Sequence, residues 1–568
     1  MLRRPSPPPI SFILLIILAL FSQLPAHAAT FTVTNLNDSG SGSLRQAILD
    51  ANNQPGADTI TFAPGLSGIL PIVSTLQPTG VLDLVGPGAS VLTILGNGTT
   101  VFNIPGSDAT ITISGLTITN GDNGIYNQGT LIVNNCHISQ NFGSGIVTRE
   151  STSLTVNNSI LSENDGDGIH NYYGSATVNN STLSDNAKTG IYNYRGETTL
   201  NGSTLSGNRN RGLINDYGSF TVNRSAIVNN LASSYSNLAG GGGIFSLNAP
   251  SLTIINSTLF GNEARGWCGG AVYIGGSTNN TFYNNTLSGN LAGSGGGLCI
   301  GGSSILNPLN NTLSANTATS QGGGIYIGNG SILLPGNNVV AGNSTTPGGN
   351  SGIEIYNAGT LSSRGRNLFG RNGVSGLTNA TPAADDRILA GAISTAIAPL
   401  TDNGGPTATH LPVTGSPAID AGNNALVPTD VTTDQRGYGP RIVGNAVDIG
   451  AVEAGATDYN PLHSDFDGDG VDDLAGVTSA GGIYYSTNLI SWTRIPGTLS
   501  RLVAGDFNGD GWADLAGVTS AGGIYYSTNL STWTHIPGTL SRLVAGDFNG
   551  DGRADLAGVT SAGGIYYS

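Results

Sequence analysis

The chain has 568 residues, 20 of them basic and 35 acidic, for a net charge of −15. Charged residues make up 10% and glycines number 87, against roughly 25% and 7% in an ordinary soluble domain, so the length suits one long repeat array with attachments. No row of cations is left to neutralise phosphates, which excludes nucleic acid as a partner. Three cysteines (Cys136, Cys268, Cys299) are too few for a disulfide framework, and the odd count leaves at least one thiol free.

Arg3 and Arg4, the apolar run 10–21 and Ala26-His27-Ala28 read as a signal peptide over 1–28, which predicts a secreted or cell-surface protein. The run is shorter than the ~20 residues a membrane anchor needs, and no later stretch could span a bilayer. TFTVTN (30–35) reads as a strand, and Ser43-Leu44-Arg45-Gln46 opens a capping box. Leu44, Ala47, Ile48 and Ala51 then share one helical face until Pro55-Gly56 blocks continuation. Residues 29–100 are therefore predicted as an N-terminal cap and first coils, the short helix covering an open edge.

Over 101–384 a phrase recurs: a small residue, then Ile or Leu, usually Ser, and finally Asn. It appears as CHISQN (136–141), SILSEN (159–164), STLSDN (181–186), STLSGN (203–208) and onward to Asn343. A Gly-Ile phrase follows each asparagine. Such short, Gly-punctuated units cannot bury their own apolar faces, and stacking joins them into one core. An Asn at the same turn of every coil is predicted to take the left-handed conformation and to bond coil to coil as a ladder. The column Cys136, Ser159, Ser181, Ser203, Ser225 and Ser257 reads as packing beside it. About ten coils at ~4.8 Å each predict a rod of about 50 Å.

This pattern resembles right-handed parallel β-helix proteins, from about Thr30 to Glu453. GSLRQAI (42–48) is similar to the S-L-R-x-A-I signature of exported bacterial members, with Gly42 where those often carry Cys. GGPTATHLPVTGSPAIDAG (404–422), DQRG (434–437) and DIGAVE (448–453) resemble a choice-of-anchor-Q region, placing closing coils at 385–456. Asp420, Asp434, Arg436, Arg441 and Asp448 read there as an ion-paired network.

From 457 to 568 a 41-residue repeat takes over, each copy opening with D-x-[DN]-x-D-G-x-x-D, the third incomplete at Ser568. The oxygen ligands are Asp465, Asp467, Asp469 and Asp473; Asp506, Asn508, Asp510 and Asp514; Asp547, Asn549, Asp551 and Asp555. Oxygen donors on alternate loop residues can converge on one hard cation. The repeats resemble the FG-GAP/VCBS units of β-propellers, whose loops bind calcium. The resemblance implies an all-β fold: a right-handed parallel β-helix solenoid with propeller-like repeats and calcium as cofactor.

Two chemistries compete on the rod. Polysaccharide lyase or hydrolase action needs paired acids or a proton-abstracting base. The coil acids Glu150, Glu163, Asp165, Asp167, Asp185 and Asp216 sit mostly at turns, and His137 and His170 read as surface residues. Adjacent columns after the Gly-Ile phrase instead run Arg149, Tyr172, Tyr194, Asp216 and Glu150, Tyr173, Arg195, Tyr217. Aromatic faces with interspersed charge at coil spacing make a platform for a glycan or a surface protein, or alternatively a tyrosine ladder that stiffens the sheet. Binding or adhesion is the favoured reading, with a β-helix lyase or hydrolase as the alternative.

Overall fold

The computed structural model describes residues 28–568 except 107, 151, 233–239, 347–352, 459–461, 465, 467–472, 479, 488–490, 511, 547–552, 561–563 and 568. The expected signal peptide lies, up to residue 27, outside the described residues. Two compact units divide the chain: residues up to 396 with 406–408, and 397–405 with 409–568.

In the first unit, alternation of apolar and polar residues lays the coils onto three long parallel sheets, two of 14 strands and one of 12, joined by a fourth parallel sheet of four strands on the later coils. The longest sheets thus hold more rungs than the ten coils that the asparagine phrase suggests. Coils near both ends close with other residues at the turn. Inward positions are aliphatic or aromatic: Ile111, Leu131, Leu154, Ala176 and Phe220 sit on successive or nearby rungs, all buried. The helix forms at Leu44–Asn52 with Leu44, Ala47, Ile48 and Ala51 buried. Only half of the capping box closes. Ser43 accepts from the Gln46 backbone at 3.2 Å, whereas the Gln46 side chain turns to Asp50 at 2.8 Å.

The asparagine ladder exists, and its backbone corrects one expectation. The left-handed residue precedes the asparagine: Gln140, Glu163, Asp185 and Asn229 have φ of 54°, 55°, 55° and 55°, and Gly207 has 65°. That residue turns the corner, and the next side chain then points inward, where its amide partners buried backbone. Asn164 shows the pattern: its Nδ2 donates to Asn186 Oδ1 at 2.9 Å and to the Ile138 carbonyl at 3.2 Å, while its backbone N–H shares the Asn186 oxygen. The Ser column is also a ladder. The Cys136 N–H donates to Ser159 Oγ and the Ser159 N–H to Ser181 Oγ, both at 3.0 Å. From Asn285 onward asparagines replace the serines, until Asn367 donates to Asp386 at 2.9 Å. Cys136 itself packs in the core as a free thiol, pushed up to about 11 by burial. Cys268 and Cys299 form a disulfide.

In the second unit, the anticipated ion-paired network is buried at Asp434, Arg436, Arg441 and Asp448, with Glu453 added, while Asp420 is exposed. Arg436 donates to Asp434 at 2.7 Å, and Arg441 donates to Glu453 at 2.5 Å. Asp448 accepts from the Asp420 and Ala454 backbones, both at 2.7 Å, and Asp420 accepts from the Asn445 backbone at 2.9 Å. The C-terminal repeats form antiparallel sheets, for example Arg501–Gly505, Asp514–Val518, Gly523–Ser527 and Thr534–Thr539. Each metal-loop sequence joins the first strand of such a sheet to the second.

Candidate functional site

Strands Ile169–Tyr172, Ile191–Tyr194 and Leu213–Asp216 lie in parallel register. Ile169, Ile191 and Leu213 point inward with Asn171, Asn193 and Asn215, so the alternating residues face outward. The inward asparagines make a second ladder, Asn171 to Asn193 at 2.9 Å and Asn193 to Asn215 at 2.8 Å, which fixes the strand ends.

On the outer side the Tyr172 and Tyr194 rings stack with centroids 5.2 Å apart and 14° between planes. The next residue on each coil, Tyr173, Arg195 and Tyr217, takes φ of 61°, 54° and 55°. Bulky residues are rare in that region, and here they recur on three consecutive coils. Tyr173 meets Tyr172 and Tyr194 edge-on at 4.7 and 5.6 Å. The Arg195 guanidinium lies over the Tyr173, Tyr194 and Tyr217 rings, 5.7, 5.3 and 5.3 Å from their centroids. Arg149 lies 5.7 and 5.1 Å from the Tyr126 and Tyr172 rings. All six ligand-face residues, Arg149, Tyr172, Tyr173, Tyr194, Arg195 and Tyr217, are therefore one patch. It borders two open grooves. One, of about 420 Å³, is lined by Tyr126, Gln128, Arg149, Glu150 and Tyr172. The other, of about 490 Å³, is lined by Tyr173, Arg195, Glu197, Tyr217 and Ser219.

The strand register adds a neighbouring column that the sequence reading leaves off this face: Tyr126, Val147, His170, Tyr192 and Ile214. The residue after each Gly-Ile or Gly-Leu is the signal that could have found it. His170 Nδ1 lies 2.9 Å from Asp167 Oδ2, and its ring meets Tyr192 edge-on at 4.8 Å. Burial, with Asp216 and Asp167 nearby, pushes the Tyr192 hydroxyl up to about 12. Asp216 is raised by burial, and Arg195 opposes that shift.

Of the metal loops, the second is described apart from residue 511. Asp506 accepts from the Gly509 backbone at 2.6 Å, Asn508 from Asp510 at 2.8 Å, Asp510 from Trp512 at 2.9 Å and Asp514 from Phe507 at 3.0 Å. Burial, with Asp510 and Asp506 adding repulsion, pushes the Asp514 carboxyl up to about 6. Asp473 repeats the Asp514 contact by accepting from Phe466 at 2.7 Å, and Asp555 opens the strand Asp555–Val559. Asp465, Asp467, Asp469, Asp547, Asn549 and Asp551 lie outside the described residues. Among the described residues no three His, Cys, Asp or Glu side chains form a metal-holding group. The second loop's donors are all oxygens, a set that suits calcium.

Residues 92–209 match the family model of the right handed beta helix region. The solenoid is a right-handed β-helix. Residues 506–558 match the FG-GAP-like repeat. No curated protein sequence matches the chain. Among solved structures, this β-helix protein is similar to a pectate lyase at 15% identity, covering 76% of this chain and 98% of that one with a TM-score of 0.35. The A-module of an Azotobacter vinelandii mannuronan C-5 epimerase gives 16% identity, coverage of 64% and 98%, and a TM-score of 0.38. The catalytic unit of an α-1,3-glucanase from Streptomyces thermodiastaticus gives 13%, 60% and 68%, and 0.34. Among the described residues no helix is long and apolar enough to cross a membrane.

Proposed function

We propose that the protein is exported through its N-terminal signal and binds glycans on the tyrosine–arginine face of the β-helix. The stacked pair Tyr172 and Tyr194, flanked by Arg149 and Arg195, carries this reading. Sugar C–H groups pack against aromatic side chains, and a rigid parallel sheet presents the accessible edges of these rings already ordered, which lowers the entropy lost on binding. The C-terminal repeats bind calcium through Asp506, Asn508, Asp510 and Asp514 and their counterparts Asp465, Asp467, Asp469, Asp473, Asp547, Asn549, Asp551 and Asp555. Calcium supplies charge neutralisation that lets the carboxylates of each loop sit together.

Retention on a panel of immobilised polysaccharides tests the binding reading. Tyr172→Ala combined with Tyr194→Ala should abolish retention of whichever glycan the wild type holds. Unchanged retention discards the face.

A lyase or hydrolase is the second reading, favoured by one contact. Asp167 holds His170 Nδ1, leaving Nε2 as the ring's other nitrogen for proton transfer on the same face. Release of unsaturated or reducing ends by the wild type, lost in His170→Ala, would establish it.

A further inference from the structure

Arg149 and Arg195 are the two cations of the tyrosine face, and neither forms an ion pair among the described residues. Elsewhere on the solenoid Arg45, Arg265 and Arg366 have a carboxylate partner, whereas Arg209, Arg224, Arg364 and Arg371 form no ion pair among the described residues. A neighbouring tyrosine holds each guanidinium of the tyrosine face by one edge. Arg149 Nε donates to the Tyr126 hydroxyl at 3.1 Å, and Arg195 Nη1 donates to the Tyr173 hydroxyl at 2.9 Å. The Tyr172 and Tyr194 rings lie beneath them, 5.1 and 5.3 Å from the guanidinium carbons. Both nitrogens of the Arg149 fork and the remaining N–H groups of Arg195 are left to face outward from exposed side chains. A planar, oriented fork without a partner matches a carboxylate, which it can bind with two parallel hydrogen bonds.

The placement of the two forks narrows the ligand. Arg149 stands two coils before Arg195, about 10 Å along the helix axis at the usual strand spacing. That distance is close to the length of a disaccharide unit. The coil between them presents Tyr172 and Tyr173; Tyr194 and Arg149 cover the Tyr172 ring from either side, so Tyr173 is the ring left to accept a neutral sugar, and its negative quadrupole face repels an anion. Glu150 beside Arg149, and Glu197 and Asp216 around Arg195, disfavour a carboxylate anywhere but at the forks.

We infer that the ligand is an acidic glycan with carboxylates on alternate sugars, its acid groups held by Arg149 and Arg195 and its neutral sugar packed against Tyr173 between them. This rests on the glycan-binding reading and names the ligand class. A polymer with a carboxylate on every sugar fits less well, because one acid group then falls on the tyrosine rings.

The test uses the full secreted chain and isothermal titration with three probes: an octasaccharide of alternating glucuronate and N-acetylglucosamine, the same octasaccharide with its carboxyls reduced to alcohols, and an oligogalacturonate of equal length. The first should bind most tightly, with reduction weakening it by about tenfold, as expected for loss of charge-assisted hydrogen bonds. Arg149→Gln and Arg195→Gln should each weaken the alternating probe, and Glu150→Gln should strengthen it. Thr177→Ala, on another sheet, is the control for folding and should change nothing. Equal affinity for the reduced probe, unaffected by either arginine variant but lost in Tyr172→Ala with Tyr194→Ala, overturns the acidic ligand and leaves glycan stacking standing. Tighter binding of the oligogalacturonate overturns the alternation. No binding of any probe, together with no retention on the wider polysaccharide panel, overturns both readings.

Discussion

The side-chain amide of Asn343 donates to Oε2 of Glu354 at 2.7 Å, and this bond terminates the asparagine ladder. Every rung from Asn141 onward donates its N–H and Nδ2 to the oxygen of the next asparagine, so the column has a direction and ends on a group that only needs to accept. Glu354 also accepts from the Asn343 and Gly342 backbones at 3.2 and 3.0 Å, and it is buried. The serine–asparagine column ends likewise on a carboxylate, Asp386.

Glu354 gives the solenoid a pH dependence. Burial raises its carboxyl from 4.5 to about 7 against the opposing hydrogen bonds. The folded state therefore holds the proton more tightly than the unfolded chain. This contribution is fully present below the unfolded value and is lost as pH rises through the folded one, a change of about 3 kcal/mol. Calorimetric melts from pH 4.5 to 8 should show the wild-type midpoint falling over that window, with a flatter profile for Glu354→Gln. Parallel profiles for the two proteins would refute the assignment.

Interior rungs should be far less tolerant than surface ones. Asn186→Ala strips partners from Asn164, from Asn208 and from the Leu161 carbonyl, all in the interior. Buried groups left unpaired cost roughly 1–3 kcal/mol each, so a loss of at least about 3 kcal/mol is expected. Asn157→Ala, on the outward column, should cost about 1 kcal/mol or less. Urea melts compare the two directly. Equal losses would mean that the inner ladder has no special weight.

Thiol titration checks the cysteine arrangement. Ellman's reagent should find no reactive thiol in the native protein, since Cys136 is buried and its thiol is pushed up to about 11. One thiol should appear on denaturation and three after reduction. Cys268 and Cys299 are 31 residues apart, so in the loop-entropy model reduction destabilises the fold by about 4 kcal/mol.

Calcium should stabilise the C-terminal repeats more than the solenoid, because coordination energy is coupled to folding of the loops that bind. In melts of the full chain, chelator should lower the transition assigned to residues 457–568, and magnesium should restore it poorly. Asp469→Ala, Asp510→Ala and Asp551→Ala together should remove the calcium effect. A midpoint that ignores millimolar calcium would make these loops ordinary solvated turns.

What the sequence determines alone is everything that repeats locally. Alternation, the Gly-Ile phrase and the spaced asparagines each act within one coil, so the solenoid, its inner ladder, the helix at Leu44–Asn52 and the tyrosine columns are legible in the residues themselves. Tertiary structure decides whatever depends on register between coils of unequal length. The left-handed residue is the one before each asparagine, because only a turn completed there aims the amide inward. Glu354 follows Asn343 by 11 residues, outside the ladder's rhythm, yet packing delivers it as the final acceptor. His170 and Tyr192 join Tyr172 and Tyr194 on one face because strand pairing aligns them. The disulfide between Cys268 and Cys299 likewise arises from the stacking of strands that no spacing rule relates. Local patterns specify a coil, and the partners of a coil are set by which neighbours bury its apolar face and satisfy its buried amides.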